Sequence, residues 1–155
     1  MNRDILFRGQ TRKRGEKVNM AGNPVDGIWV YGGAFQGINH SIIYGTADLN
    51  NIKTSNIDKY VVHTDTLGQY TGLPDKNGIK IFEGDIIRGK TKRVFRVDYN
   101  SSIASFVAHA LDEQLSTPCM NLGTMRHYEV VGNIYDNPEL LGNDTDCRAK
   151  IKEEP

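Results

Sequence analysis

Apolar residues in this chain fall in short runs of period two, separated by polar stretches that carry glycine. That is the pattern of half-buried β-strands rather than of helices. The first run, residues 5–9, is followed by a long polar stretch, 10–27, with clustered Arg and Lys. Then Ile28, Val30 and Gly32 alternate with Trp29, Tyr31 and Gly33. Two strands joined by a long basic loop are expected, an N-terminal β-hairpin. From His40 to Tyr60, Asn, Thr, Ser and Asp interrupt a short apolar patch, and the reading is irregular backbone with one short strand or turn.

The clearest local signal lies in "LPDKNGIKIFEGDII". Asp75 suits the first position of a type I turn and Gly78 the positive φ that closes it as a bulge. The strand leaving this turn should place Ile79 and Ile81 on one face, with Lys80 and Phe82 on the other. Glu83, Gly84 and Asp85 predict a second sharp turn, Gly84 taking a backbone conformation closed to other residues and Asp85 bonding nearby backbone N–H groups. Ile86 and Ile87 then open a strand. Further on, Arg93, Phe95, Val97 and Tyr99 share one face, opposite Val94, Arg96 and Asp98.

Residues 101–116 admit two readings. Ile103, Phe106, Val107, Ala110, Leu111 and Leu115 fit a helical stripe, while 104–110 alone fits a strand, and the pattern leaves both open. Residues 128–135 predict a last strand, and Asn137–Pro138 a short C-terminal helical turn. The polar tail, 142–155, has little to bury and is expected to be disordered.

The stretch around Gly84 raises a question of chemistry. Gly84, four residues, then Gly89, Lys90 and Thr91 have the spacing of a phosphate-binding P-loop. A P-loop joins a buried parallel strand to a helix, so that backbone N–H groups and the helix N-terminus meet the phosphates. Here "KRVFRVDY" follows, with β-branched and aromatic residues at period two, and no helix is expected. An NTP-binding enzyme is therefore the remotest of the readings.

Composition adds constraints. Lys plus Arg and Asp plus Glu both total 19, so any electrostatic attraction must be local. No apolar run approaches a membrane span and the N-terminus lacks a secretory signal, so the cytoplasm is the expected compartment and no membrane partner is expected. Cys119 and Cys147 stand apart from any metal-ligand spacing and read as reduced thiols. His40, His63, His109 and His127 lack the spacing of metal ligands, and Asp75, Asn77 and Glu83 resemble a calcium loop whose glycine is misplaced. Glu83 and Asp85 flank a turn glycine, where turn chemistry accounts for both. No catalytic residue, cofactor or metal is expected.

Two basic clusters stand out. Arg3, Arg8, Arg12, Lys13, Arg14 and Lys17 crowd the first segment, and Arg88, Lys90, Lys92, Arg93 and Arg96 crowd one strand region, with Tyr70, Phe82, Phe95 and Tyr99 near it in sequence. Basic grooves with exposed rings bind single-stranded nucleic acid. The preferred reading is a solvated charged face with the aromatics committed to the core.

The runs "GQYTGLPDKNGIKIFEGDII", "YEVVGNIYDNPELL", "ILFRG" and "WVYG" together resemble the YopX family of bacteriophage and prophage proteins. The resemblance extends from Ile5 to Leu141 and leaves the basic loop after Gly9 and residues 101–126 unsupported. It implies a mainly β protein whose second half is a small, partly open, SH3-like barrel, in which 104–110 is a strand, and a phage setting. It supplies no established activity and no catalytic residues. The expected organisation is an N-terminal β subdomain over 1–60, the barrel over 61–141 and the tail. The expected function is that of a non-enzymatic accessory protein, a protein-interaction module that self-associates through exposed strand edges. A nucleic-acid-binding module using residues 88–96 is the alternative.

Overall fold

A computed structural model describes residues 4–11, 27–38, 40–51, 57–111, 119–125 and 127–141. The fold is mainly β, with two antiparallel sheets that are not closed into barrels. The chain divides into two compact units, one comprising the residues up to Pro74 with Lys80–Glu83, the other Asp75–Ile79 and everything from Gly84.

The first unit holds a six-stranded sheet ordered β4-β3-β2-β1-β5-β6. Its strands are β1 (Phe7–Gln10), β2 (Trp29–Gln36), β3 (Ser41–Thr46), β4 (Asp58–Val62), β5 (Gly68–Pro74) and β6 (Lys80–Phe82). β1 and β2 pair antiparallel from Phe7↔Gly32 to Gln10↔Trp29, as expected of the N-terminal hairpin; its basic loop lies outside the described residues. A single bridge, Thr11↔Val62, brings the end of β4 back to the end of β1 without closing the sheet. Val30, Ile43, Tyr60 and Val62 form a core on one face, and Leu6, Tyr70 and Phe82, with Tyr31 and Leu49, form a second.

The reading of 40–60 as irregular backbone with one short strand or turn is corrected, since the described residues there hold β3, a 3-10 turn at Leu49–Asn51 and the start of β4, with 52–56 outside them. The inward face of β3 is Ser41, Ile43 and Gly45, all buried, so two of its three core positions carry no apolar side chain to reveal them. The expected domain boundary at 60/61 falls inside β4, and the 61–74 segment lies in the first unit because β5 is the second neighbour of β1 through Phe7↔Gln69 and Arg8↔Gly68.

In the second unit a five-stranded sheet runs β10-β9-β8-β7-β11. Its strands are β7 (Asp85–Arg88), β8 (Val94–Asn100), β9 (Ser105–Ala110), β10 (Cys119–Asn121) and β11 (Glu129–Asn133). Within the contested stretch, β9 is a strand that pairs with β8 from Phe95↔Ala110 to Asn100↔Ser105, while residues 112–116 lie outside the described residues. Ile103 of the alternative helical stripe is 60% exposed. Ile86, Ile87, Phe95, Val97, Val107 and Ala108 are buried. The expected C-terminal helical turn is a 3-10 turn at Pro138–Leu141; the tail beyond it lies outside the described residues.

Candidate functional site

The stretch from Asp75 to Arg96 carries every residue singled out as a turn former or a nucleic-acid contact. Asp75 heads a tight turn between β5 and β6, where its N–H donates to the Ile79 carbonyl at 2.7 Å and its carbonyl accepts from Gly78 N–H at 3.1 Å. Gly78 sits at φ 84°, where a Cβ would be strained. The Asp75 side chain is buried, at 5% exposure. Its Oδ1 accepts from the Asn77 and Ile79 N–H groups at 2.7 and 2.9 Å, and its Oδ2 from Val130 N–H at 3.0 Å. One carboxylate thus orders the turn and fastens it to β11. Ile79 departs from the expected face partnership with Ile81, being 52% exposed against 1%.

Gly84 adopts φ 83°, its N–H donating to Val97 O at 2.8 Å and its carbonyl accepting from Ile134 N–H at 3.0 Å. It joins β7 between β8 and β11. Asp85 next to it is buried at 2% exposure, and Ile86 and Ile87 are fully buried.

Beyond Arg88 the backbone turns back on itself. Gly89 N–H donates to Arg93 O at 3.2 Å and Lys92 N–H to Gly89 O at 3.1 Å, with Lys92 at φ 62°. β8 then runs antiparallel to β7, from Arg88↔Val94 to Ile86↔Arg96. The Gly84–Thr91 motif is therefore a strand between two turns, followed by another strand. No helix N-terminus faces Gly89, Lys90 and Thr91, and the phosphate-loop architecture is absent from this segment.

The five cations of this region separate into two groups. Arg88 Nε and Nη2 both donate to Glu129 Oε1, at 3.2 and 2.8 Å, and Arg96 Nε donates to Asp98 Oδ2 at 2.7 Å. Lys90, Lys92 and Arg93 are exposed at the β7–β8 turn and form no ion pair among the described residues. Of the four aromatics near them in sequence, Tyr70, Phe82 and Phe95 are buried and only Tyr99 is exposed, at 47%. Those three buried rings are not available as a stacking platform over 88–96.

Glu129 went unnoticed in the sequence. It also binds Lys76 Nζ, at 2.7 Å, so one carboxylate joins the Asp75 turn to β7. The Lys76 ammonium, and after it the Arg88 guanidinium, hold the Glu129 carboxyl below its ordinary value of 4.5. A depressed carboxylate contributes stability above its unfolded-state value, and that contribution is lost as pH falls through the lower folded value. Acidification below about pH 4.5 should therefore lower the urea midpoint of the second unit, and Glu129→Gln should flatten that part of the profile, as followed by amide signals of β7 and β11.

The first basic cluster yields a different result. Among its six members only Arg8 is described, and it is buried at 6% exposure rather than solvated. Its guanidinium lies 4.7 Å from the Trp29 ring centroid and 5.1 Å from that of Phe82, and Nη2 donates to Glu83 O at 3.1 Å. Arg8 thus holds the first unit together.

The first sheet carries an apolar row that is exposed at Phe35 and half-buried at Ile42 and Val61. On the Trp29/Tyr31 face of the first sheet, Phe35 pairs with Ile42 and Ile42 with Val61, straight across β2, β3 and β4. Phe35 is 65% exposed and Tyr44 beside it 49%; Ile38, in the β2–β3 turn, is fully exposed. Among the described residues, no group of three or more His, Cys, Asp or Glu side chains is gathered for a metal, and no helix is long and apolar enough to cross a membrane.

A family model described as "YopX protein" matches residues 21–142, well over half of the chain. The chain belongs to the YopX family. Of the four blocks that carried the resemblance, "WVYG", the central hairpin and the closing strand lie within the match, while "ILFRG" precedes it. The Asp75, Gly84 and Glu129 geometry thus falls wholly inside the YopX region. No curated protein matches the chain. Among solved structures, the crystal structure of protein EF1440 from Enterococcus faecalis is similar at 20% identity, covering 90% of this chain and 99% of that one, with a TM-score of 0.43.

Proposed function

We propose that this YopX-family chain is a non-enzymatic phage or prophage accessory protein of the bacterial cytoplasm that works through protein contacts, above all with further copies of itself. The observation carrying this reading is the row Phe35–Ile42–Val61, flanked by Tyr44 and Ile38. An apolar row exposed at Phe35 and half-buried at Ile42 and Val61 supports an interaction site, and β4 beside it is the last strand of its sheet, bridged to Thr11 at Val62. The second unit, an SH3-like small barrel left open in this reading, commits three of its described carboxylates to its own structure. Its Asp75 and Asp98 serve backbone N–H groups and Arg96, and its Glu129 serves Lys76 and Arg88.

Light scattering across a concentration series should show a mass rising to that of a dimer or larger. A Phe35→Glu, Tyr44→Glu double variant should remain monomeric and folded. Because apolar burial drives this association, moderate salt should leave it intact. A wild-type monomer at every concentration would refute the self-association.

A further inference from the structure

The two tight turns that flank β6 and β7 have the same hydrogen-bond pattern but differ at one residue. In each, residue i donates to the carbonyl of i+4 and accepts from the N–H of i+3: Asp75 with Ile79 and Gly78, Gly89 with Arg93 and Lys92. The third position after the start needs a positive φ. The first turn fills it with Gly78 at 84°, the second with Lys92 at 62°. A left-handed conformation costs a side chain of this kind about 1 kcal/mol relative to glycine. The second turn bears this strain and, in return, presents Lys90, Lys92 and Arg93 within four residues of one rigid tip.

Among the described residues, charge at this end of the second unit is lopsided, in a chain whose totals balance at 19 and 19. Glu129 is shared by Lys76 and Arg88, Asp98 serves Arg96, and Asp75 serves backbone N–H groups, so none of these carboxylates answers the tip. The tip residues 90–93 are all polar and exposed. The exposed Tyr99 and Ile103 belong to the opposite end of β8.

We infer that the Gly89–Arg93 tip is a contact point for the phosphate backbone of duplex nucleic acid, independent of base sequence. A protein partner would call for an apolar or aromatic anchor at the centre of the contact, and residues 90–93 offer none, the half-buried Tyr128 ring against Gly89 being packed edge-on to Phe95. A lipid surface would call for cations spread over a flat face. A narrow tip with three clustered cations instead matches a line of charge, such as the phosphates of a duplex. Bases are not read, because Phe82 and Phe95 are buried and unavailable for stacking. The contact lies on a different unit from the apolar row and stands or falls separately from self-association.

Fluorescence anisotropy with a labelled mixed-sequence DNA duplex tests it. Three phosphate contacts predict a slope of about −2.7 in log K against log salt per tip, so that affinity falls about 40-fold between 50 and 200 mM. Lys92→Gly alone should reduce the slope by about 0.9 while raising the unfolding midpoint, because it removes the strain along with the charge. Lys90→Gln, Lys92→Gly, Arg93→Gln together should abolish binding with the circular dichroism spectrum and the unfolding midpoint retained. Failure of the wild type to bind at 50 mM salt would overturn the inference. So would unchanged binding by the triple variant, or binding to polyglutamate or anionic vesicles as tight as to the duplex.

Discussion

Asp75→Ala should destabilise the second unit by about 3–5 kcal/mol, because three backbone N–H groups lose a buried charged acceptor at once. Asp75→Asn should cost less, about 2 kcal/mol, since one side-chain oxygen remains for the turn while the amide –NH2 cannot accept from Val130 N–H. Urea unfolding resolved through amide signals of Ile87 and Val97, both buried in the central strands, reads the effect where it is expected. Equal stability of wild type and Asp75→Ala would mean that the carboxylate merely decorates the turn. A catalytic or metal-binding aspartate would behave differently, since removal of a desolvated charge at such a site commonly leaves stability unchanged or raised. The sign of this one measurement therefore bears on function as well as fold.

The second large effect concerns Arg8. Arg8→Ala should cost the first unit about 3–4 kcal/mol, as it deletes a desolvated cation–π sandwich between Trp29 and Phe82 and opens a cavity between them. Trp29, the single tryptophan, reports the change directly through its fluorescence in urea. Arg8→Met separates packing from charge. Replacing a buried ion with an apolar side chain of similar reach is often neutral, so a loss under about 1.5 kcal/mol is expected. Arg8→Met as damaging as Arg8→Ala would show that the charge itself, with its bond to Glu83 O, holds the site.

Which of these features the sequence disclosed depends on how far apart the partners lie. The Asp75–Gly78 turn and the Gly84 turn are local, requiring only an acceptor side chain and a residue free to take positive φ, so both could be read directly. The strand after Thr91 was equally plain, because period-two alternation over β8 is incompatible with the helix a phosphate loop needs. β3 was obscured because Ser41 and Gly45 fill core positions that hydrophobicity does not mark. Arg8 stood among five other cations, and its partners Trp29 and Phe82 belong to β2 and β6, so nothing near it in sequence distinguished a buried guanidinium from a solvated one. Glu129 was concealed likewise, its two cations lying on the Asp75 turn and on β7. The division of the basic strand into paired Arg88 and Arg96 and unpaired turn cations follows from register, which pattern alone does not fix.

A common physical thread connects these cases. In the second unit the carboxylates of Asp75, Asp98 and Glu129 hold turns and strands together, whereas in the first unit Phe35 and Tyr44 are exposed. Association through that surface is the activity we propose. Hydrogen exchange of the wild-type protein, measured well below and well above the concentration at which its mass doubles, locates that surface directly. Slowed exchange at high concentration confined to the β2–β3 turn and edge strand β4 is the expected result. Identical exchange at both concentrations, or protection appearing only in the second unit, would contradict the account.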